Sequence, residues 1–159
     1  MTEQNNKPAK GVEIFEHEGK IIGMCIRSSH EWNKTEFLTP DDFYQQLGLL
    51  LYDKDYEVKA HAHYKVPRTV NYTCEVLFCV SGRIVYTFYD EKDNWRKLCS
   101  CELTDGDVLC LFGAGHGGKA LEPTRLIEVK QGPFLGTKDK FFYPDRPEEK
   151  PSSFNKNIF

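Results

Sequence analysis

Three histidines and one glutamate in the middle of the chain are the side chains best suited to metal chemistry. One residue separates His61 from His63, so in a β-strand, whose side chains alternate between faces, both imidazoles project the same way. Neutral imidazole is the commonest protein ligand of first-row metals, and two imidazoles on one strand supply half of a metal site. Two ordinary surface histidines explain the same spacing, so both interpretations stay open here.

The third candidate, Glu75, opens an apolar run that ends at Gly82. Strand alternation places Glu75 on the same face as Leu77 and Cys79, and the other face of the run is apolar too. We therefore expect a central strand with Glu75 pointing into the protein. A buried carboxylate is costly unless it is paired, hydrogen-bonded or metal-bound. The alternative to a metal is a salt bridge to Arg68, Arg83 or a lysine.

The fourth candidate, His116, lies in the glycine cluster that spans residues 113–118. A turn at Asp105-Gly106 and an apolar strand precede it. Because glycine adopts positive φ without steric cost, the cluster predicts a bend that holds His116. The segment is no phosphate-binding loop, since it lacks the G-x-x-x-x-G-K-[ST] pattern. A hairpin turn with an incidental histidine is the alternative.

The segments that must position these residues are β-strands by their pattern. Short runs of β-branched, aliphatic and aromatic residues recur between Gly, Pro and Asp turn signals, and this spacing predicts an all-β sandwich or barrel. The expected strands cover residues 20–27, 46–52, 57–63, 74–80, 83–89, 95–103, 107–112 and 124–130. Only residues 40–46, with Thr39 as a cap before Pro40, offer the start of a helical turn.

Composition excludes several classes of protein. The chain has 159 residues with 21 basic and 24 acidic side chains, a net charge of −3, which argues against nucleic-acid binding. No apolar run is long enough for a membrane span, and the polar N-terminus does not resemble a signal peptide. We expect a soluble cytoplasmic protein whose six cysteines, which form no C-x-x-C pair, are reduced structural thiols.

Three regions differ in composition. Residues 1–35 are predicted to form an N-terminal arm and a flanking strand, and residues 36–143 a β-barrel domain. Residues 144–159 contain Pro144, Pro147 and Pro151 in a charged stretch, and we expect an extended C-terminal tail there.

The order of the motifs resembles that of the cupins, which are small jelly-roll β-barrels. The similarity spans about residues 45–132: the His61-Ala62-His63 motif, Glu75 followed after six residues by Gly82, and a Gly106-Asp107 turn before His116. Two departures leave the geometry around Glu75 and His116 open. Eleven residues separate His63 from Glu75, a longer spacer than the family's. The segment directly before His116, residues 113–115, lacks the proline of the family's second motif.

This resemblance implies a double-stranded β-helix barrel with one divalent transition metal, Fe, Mn, Ni or Zn, held by His61, His63, Glu75 and His116. Part of the chain is also similar to bacterial cupins that often accompany surface-polysaccharide genes. That similarity is carried by residues 39–43, by the His61-Ala62-His63 motif with residues 67–68, and by residues 127–133. It implies a small-molecule ligand such as a sugar or nucleotide-sugar derivative.

Four further residues are candidates for binding the small-molecule ligand. Arg68 is a candidate clamp for a carboxylate or phosphate, because its guanidinium binds such groups in a bidentate manner. Tyr64, Tyr72 and Lys130 are weaker candidates, since surface or packing roles explain them as well. The exposed sheet edges of a jelly roll favour association with a second copy, so a homodimer is the expected assembly. We expect no nucleic-acid or membrane partner.

Two further functions remain open. The chain is also similar to the metal-free nucleotide-sugar 3,4-ketoisomerases, through His61-Ala62-His63 and through residues 79–82. In that case His61 and His63 are catalytic and move protons between sugar carbons as general acid and base. Those enzymes tend to have glutamine where Glu75 stands, which favours the metal site. A non-catalytic ligand-binding barrel is the third possibility, so the sequence does not decide whether the protein is an enzyme.

Overall fold

Ten β-strands form in the part of the chain that the structure describes, because apolar and polar side chains alternate along short segments that end at turns. A computed structural model describes residues 11–136 and 139–144. Its strands are β1 Val12–His17, β2 Lys20–Ile26, β3 Glu36–Phe37, β4 Gly48–Leu49, β5 Glu75–Ser81, β6 Ile84–Asp90, β7 Arg96–Leu103, β8 Val108–Leu111, β9 Gly115–Ala120 and β10 Arg125–Lys130. Residues 1–10 of the expected N-terminal arm and flanking strand (1–35), and most of the expected tail, 145–159, lie outside the described residues.

The strands form three antiparallel sheets. A five-stranded sheet has the order β1-β2-β8-β5-β10, a three-stranded sheet has the order β7-β6-β9, and β3 pairs with β4. The described strands thus confirm an all-β fold of antiparallel sheets, but they do not join into one closed sheet. In particular, β10 and β9 are edge strands of different sheets.

The main core lies between the two larger sheets. Leu77 and Leu109 of the five-stranded sheet pack in one buried cluster with Phe88 and Leu103 of the three-stranded sheet. A second cluster lies on the opposite face of the five-stranded sheet, where Phe112 and its neighbours are covered by side chains from residues 38–47. The five-stranded sheet is therefore covered on both faces along β2 and β8, whereas on the outer face of β5 Val76 is partly buried and Phe78 and Val80 are exposed.

Several sequence-predicted elements need correction. The predicted strand 57–63 is absent, and the predicted strand 46–52 shrinks to β4, because no described sheet edge lies alongside residues 50–74 to pair with them. Strand β1 is not among the predicted strands. No α-helix occurs between residues 11 and 136; a turn bond from Phe43 N to Pro40 O, 3.1 Å long, stands where the helical turn is predicted.

The predicted bend lies at Gly113 and Ala114, just before the position expected, and His116 itself lies inside strand β9. None of the glycines in the cluster has positive φ, although Ala114 does. The glycines serve a different purpose: a Cβ on Gly115 would lie 2.8 Å from the Trp95 ring, and a Cβ on Gly118 would lie 2.9 Å from the Tyr86 ring. Glycine therefore lets β9 run close to aromatic rings.

The cysteines occupy the positions expected of small apolar residues. All six are free thiols, and all except the half-buried Cys99 are buried. Cys99 and Cys101 share the inner face of β7, as their spacing predicts.

Candidate functional site

Glu75 points into the protein, as the alternation of its strand predicts. It is the first residue of β5, and its neighbours on the same face, Leu77 and Cys79, belong to the core between the sheets. It pairs with buried Leu111 of β8 on one side and with Lys130 of β10 on the other. Its side chain is 14% exposed. The carboxylate therefore lies at the open end of the inter-sheet core.

His116 reaches the same place from the other sheet. It pairs with Phe88 of β6, and paired residues of antiparallel strands point to the same face, so His116 faces the space that the buried Phe88 fills. Its Nε2 lies 3.1 Å from Glu75 Oε2, and its Nδ1 lies 3.3 Å from the carbonyl oxygen of Ala114. The imidazole thus bridges the two sheets, and a doubly protonated ring would donate to both oxygens.

Positive charge surrounds the Glu75 carboxylate. Lys130 Nζ lies 3.8 Å from Glu75 Oε1 and 3.3 Å from Glu128 Oε1. The hydrogen bond from His116 lowers the pKa of Glu75, burial opposes this, and the charges of His116, Lys130 and Lys140 shift the balance further downward. Glu75 is therefore ionised at neutral pH. Of the basic partners considered for it, Arg83 instead pairs with Glu102.

Tyr86 is a residue of this site that the sequence did not single out. It lies on β6 opposite Gly118 of β9, next to the inward-facing His116. Burial raises the pKa of Tyr86, and the charges of Glu75 and Glu128 raise it further, so the phenol keeps its proton. Its apolar neighbours on β6 indicate an inner face, but its position opposite Gly118 depends on a pairing between segments far apart in sequence.

The other two predicted metal ligands lie elsewhere in the chain. His61 and His63 are exposed and belong to no strand. Their rings are in edge-to-face contact, with centroids 5.2 Å apart, and His61 Nδ1 lies 2.9 Å from the Lys59 carbonyl oxygen. The four predicted ligands thus form two separate pairs, Glu75 with His116 and His61 with His63. Within the described residues, no group of three or more His, Cys, Asp or Glu side chains is arranged to hold a metal.

The predicted ligand-binding residues divide in the same way. Lys130 lies beside Glu75, whereas Arg68 and Tyr64 are exposed in the segment that carries the two histidines, Tyr64 with 93% of its surface accessible. Tyr72 is exposed near the end of that segment.

The Glu75–His116 pair fits half of a metal centre. Two ligands bound about 2.1 Å from one ion are separated by roughly 3.0–3.4 Å, and the 3.1 Å between Glu75 Oε2 and His116 Nε2 falls in that range. Zinc sites in proteins have three or four protein ligands, and within the described residues Glu75 and His116 supply two donors at this point. Without a metal, the same pair is a carboxylate-oriented imidazole, the arrangement used for proton transfer.

Comparison with known proteins identifies no relative. No protein-family model, no curated protein and no solved structure matches the chain. Within residues 11–136 and 139–144, there is no helix with the length and apolar character to cross a membrane.

Proposed function

We propose that the chain is a cytoplasmic jelly-roll protein of the cupin type that binds a small molecule at a divalent metal centre. The metal ligands are His61, His63, Glu75 and His116, the metal is Fe, Mn, Ni or Zn, and the ligand is a sugar or nucleotide-sugar derivative. The observation that carries the proposal is the meeting of Glu75 and His116, from different sheets, with donor atoms 3.1 Å apart.

The residues around this pair have separate tasks. Glu75 and His116 hold the metal, and a bound metal ion would supply a Lewis acid with positions open to ligand oxygens. Lys130, 3.8 Å from Glu75, places an ammonium group that attracts an anionic ligand. The protonated hydroxyl of Tyr86 can donate a hydrogen bond to the same ligand.

Metal analysis tests the proposal. Protein purified without added metal, and again after incubation with Fe, Mn, Ni or Zn, should contain about one equivalent of metal per chain. His116→Ala and His61→Ala should each lose it, whereas the matched control His30→Ala should retain it. Less than about a tenth of an equivalent in the wild type after every incubation contradicts the metal site. Retention by both histidine variants means that the ligands are assigned wrongly.

A metal-free isomerase is the second candidate, and the hydrogen bond between Glu75 and His116 favours it. A carboxylate that orients an imidazole is suited to general acid–base catalysis at adjacent sugar carbons. The structure would shift the main catalytic role from His61 and His63 to His116. This function predicts deuterium exchange into a nucleotide 4-keto-sugar, lost in His116→Ala. Absence of exchange across a panel of such sugars, combined with thermal stabilisation by one of them, indicates a binding protein without turnover.

A further inference from the structure

The segment between β4 and β5 has the composition of a strand and the surroundings of a loop. Every residue from 50 to 72 is exposed and none belongs to a strand, although compact domains rarely contain structureless loops longer than about 12–15 residues. Residues 50–70 of this segment are called the arm. Large apolar side chains exposed on the arm are Leu50, Leu51, Tyr52, Tyr56, Val58, Tyr64, Val66 and Val70.

Both ends of the arm are held, while its middle is not. Leu49 and Cys74, just outside the arm, are buried, and Leu51 exchanges hydrogen bonds with the Thr35 hydroxyl. Between residues 52 and 70, the hydrogen bonds, ion pairs and ring contacts in the described structure all connect arm residues with each other. The arm therefore extends from the body without packing into it.

The body has two open strand edges beside the candidate site. β9 pairs only with β6, and β10 pairs only with β5 among the described strands. β9 carries His116, and β10 carries Lys130 next to Glu75. An unpaired edge displays a row of backbone N–H and C=O groups and readily accepts another strand. The same chain thus contains a segment of strand-like composition without a strand partner, which is the arm, and two strand edges without a neighbour, those of β9 and β10.

We infer that the arm of one copy pairs with the open β9 and β10 edges of a second copy, reciprocally, and that it brings His61 and His63 to the partner's Glu75 and His116. The metal part of this inference rests on the proposed function, whereas the strand exchange does not. A strand added beside β9 lies about 4.8 Å from it, with every second side chain on the face of His116. The H-x-H spacing then directs both imidazoles to that face.

A second copy is the occupant because, in the described structure, the arm pairs with neither of these edges in its own chain. The exchange also buries enough surface for a stable dimer. If each of the eight apolar arm side chains buries roughly 100 Å², one arm contributes about 800 Å², and two reciprocal arms about 1,600 Å², the size of a standard interface. Exchange of identical elements between copies is a common route to dimers.

Cross-linking of isotope-mixed protein tests the exchange without any metal. Unlabelled and ¹⁵N-labelled chains are unfolded together, refolded under reducing conditions and treated with a lysine-reactive cross-linker. Links from Lys59 or Lys65 of the arm to Lys119 of β9 should include mixed-isotope pairs, whereas Lys97 on β7, at the far edge of that sheet, should give none. Links of a single isotope only, or no arm link to Lys119, overturn the inference.

Sedimentation shows whether the arm makes the dimer. The wild type should be a dimer at micromolar concentration. Replacement of residues 56–66 one for one by Gly and Ser should give a monomer with the β-sheet circular dichroism retained, and Tyr64→Ser should raise the dimer Kd at least tenfold. The control Ile14→Ser, an exposed apolar residue on the opposite edge strand β1, should stay dimeric. A monomeric wild type, or an unchanged Kd in Tyr64→Ser, refutes the role of the arm.

A mixture of two defective variants separates the exchange from the metal site. His61→Ala/His63→Ala and Glu75→Ala/His116→Ala each lack half of the ligands, and each alone should bind no metal. Refolded together, half of the dimers are mixed, and each mixed dimer contains one complete site, so about a quarter of an equivalent per chain should return. If the wild type binds metal but the mixture does not, the ligands come from one chain. A wild type without metal contradicts the proposed function and leaves the cross-linking result valid.

Discussion

At the residue scale, two inward-facing carboxylates show how partners determine a role. Asp107 is 2% exposed and accepts hydrogen bonds from Ser28 N, Thr104 N and Arg27 Nη1 at 2.9–3.0 Å. The main chain, the Thr104 hydroxyl and the Arg27 ion pair satisfy its oxygens, so Asp107 joins the start of β8 to the segments that follow β2 and β7. Glu75 instead faces His116 and Lys130 at the open end of the core. The partners of Glu75 are side chains that can rotate away, so its carboxylate remains available to a ligand.

Asp107→Asn should lower the free energy of unfolding by about 1–3 kcal/mol, because a buried carboxylate that accepts main-chain hydrogen bonds becomes a neutral amide and Arg27 keeps only Glu13 as its counter-charge. The exposed control Asp93→Asn, which loses an ion pair with Arg96, should cost less than about 1 kcal/mol. Urea denaturation at pH 7 measures both. Equal effects of the two substitutions would show that Asp107 has no special structural role.

The same residue predicts a pH dependence. Burial acts to raise the pKa of Asp107, but hydrogen bonds from Ser28 and Thr104 and the Arg27 charge outweigh it, and the pKa falls below its ordinary value of 3.8. A carboxyl group with a lowered folded-state pKa stabilises the protein above its unfolded pKa, and this is lost as the pH falls. Wild-type stability should therefore drop below about pH 5 more steeply than that of Asp107→Asn. Parallel curves for the two proteins would rule this out.

At the scale of the element, close packing between strands and rings explains where glycine is needed. Gly23 of β2 lies against the ring of Phe88 from the opposite sheet: a Cβ there would meet Phe88 Cζ at 2.7 Å and the Cys110 carbonyl oxygen at 2.9 Å. Phe88 is fully buried, so its ring cannot move away. The two larger sheets are therefore in close contact at a position where β2 has no side chain.

Gly23→Ala should destabilise the protein by about 1–3 kcal/mol, since the added methyl group overpacks a filled core. Gly117 of β9 is the matched control, because a Cβ added there would meet open space within 4 Å and its φ is not positive. Gly117→Ala should leave stability unchanged or raise it slightly. Denaturant titration of the two variants compares them, and an effect in Gly117→Ala as large as that in Gly23→Ala would contradict the packing argument.

At the scale of the whole molecule, the two cores are joined through shared strands. Leu77 packs in the core between the sheets, and Phe112, in edge-to-face contact with Phe43 at 5.2 Å, packs in the core on the other side. The strands β2, β5 and β8 contribute to both clusters. Loss of either core exposes one face of the same sheet, so we expect the two to unfold together.

Leu77→Ala should cost about 2–5 kcal/mol and Phe112→Ala about 3–5 kcal/mol, and each variant should unfold in one transition. Phe37→Ala, at an exposed position on β3, is the control and should cost far less. Far-ultraviolet circular dichroism and tryptophan fluorescence, followed through the same urea titration, should give coincident curves. A separate early transition in Phe112→Ala would show that the outer core folds independently.

Features that depend on near neighbours in the chain follow from the amino-acid sequence alone. Alternation predicts most of the strands, the inner face of Glu75 and the burial of the cysteines, because side-chain direction in a strand depends on position along that strand. Which strands lie side by side emerges only in the folded molecule. Folding places His116 in a strand opposite Phe88, brings Tyr86 to the site and leaves residues 57–63 outside every sheet. A strand exists only where another backbone accepts its hydrogen bonds, and that partner is distant in sequence.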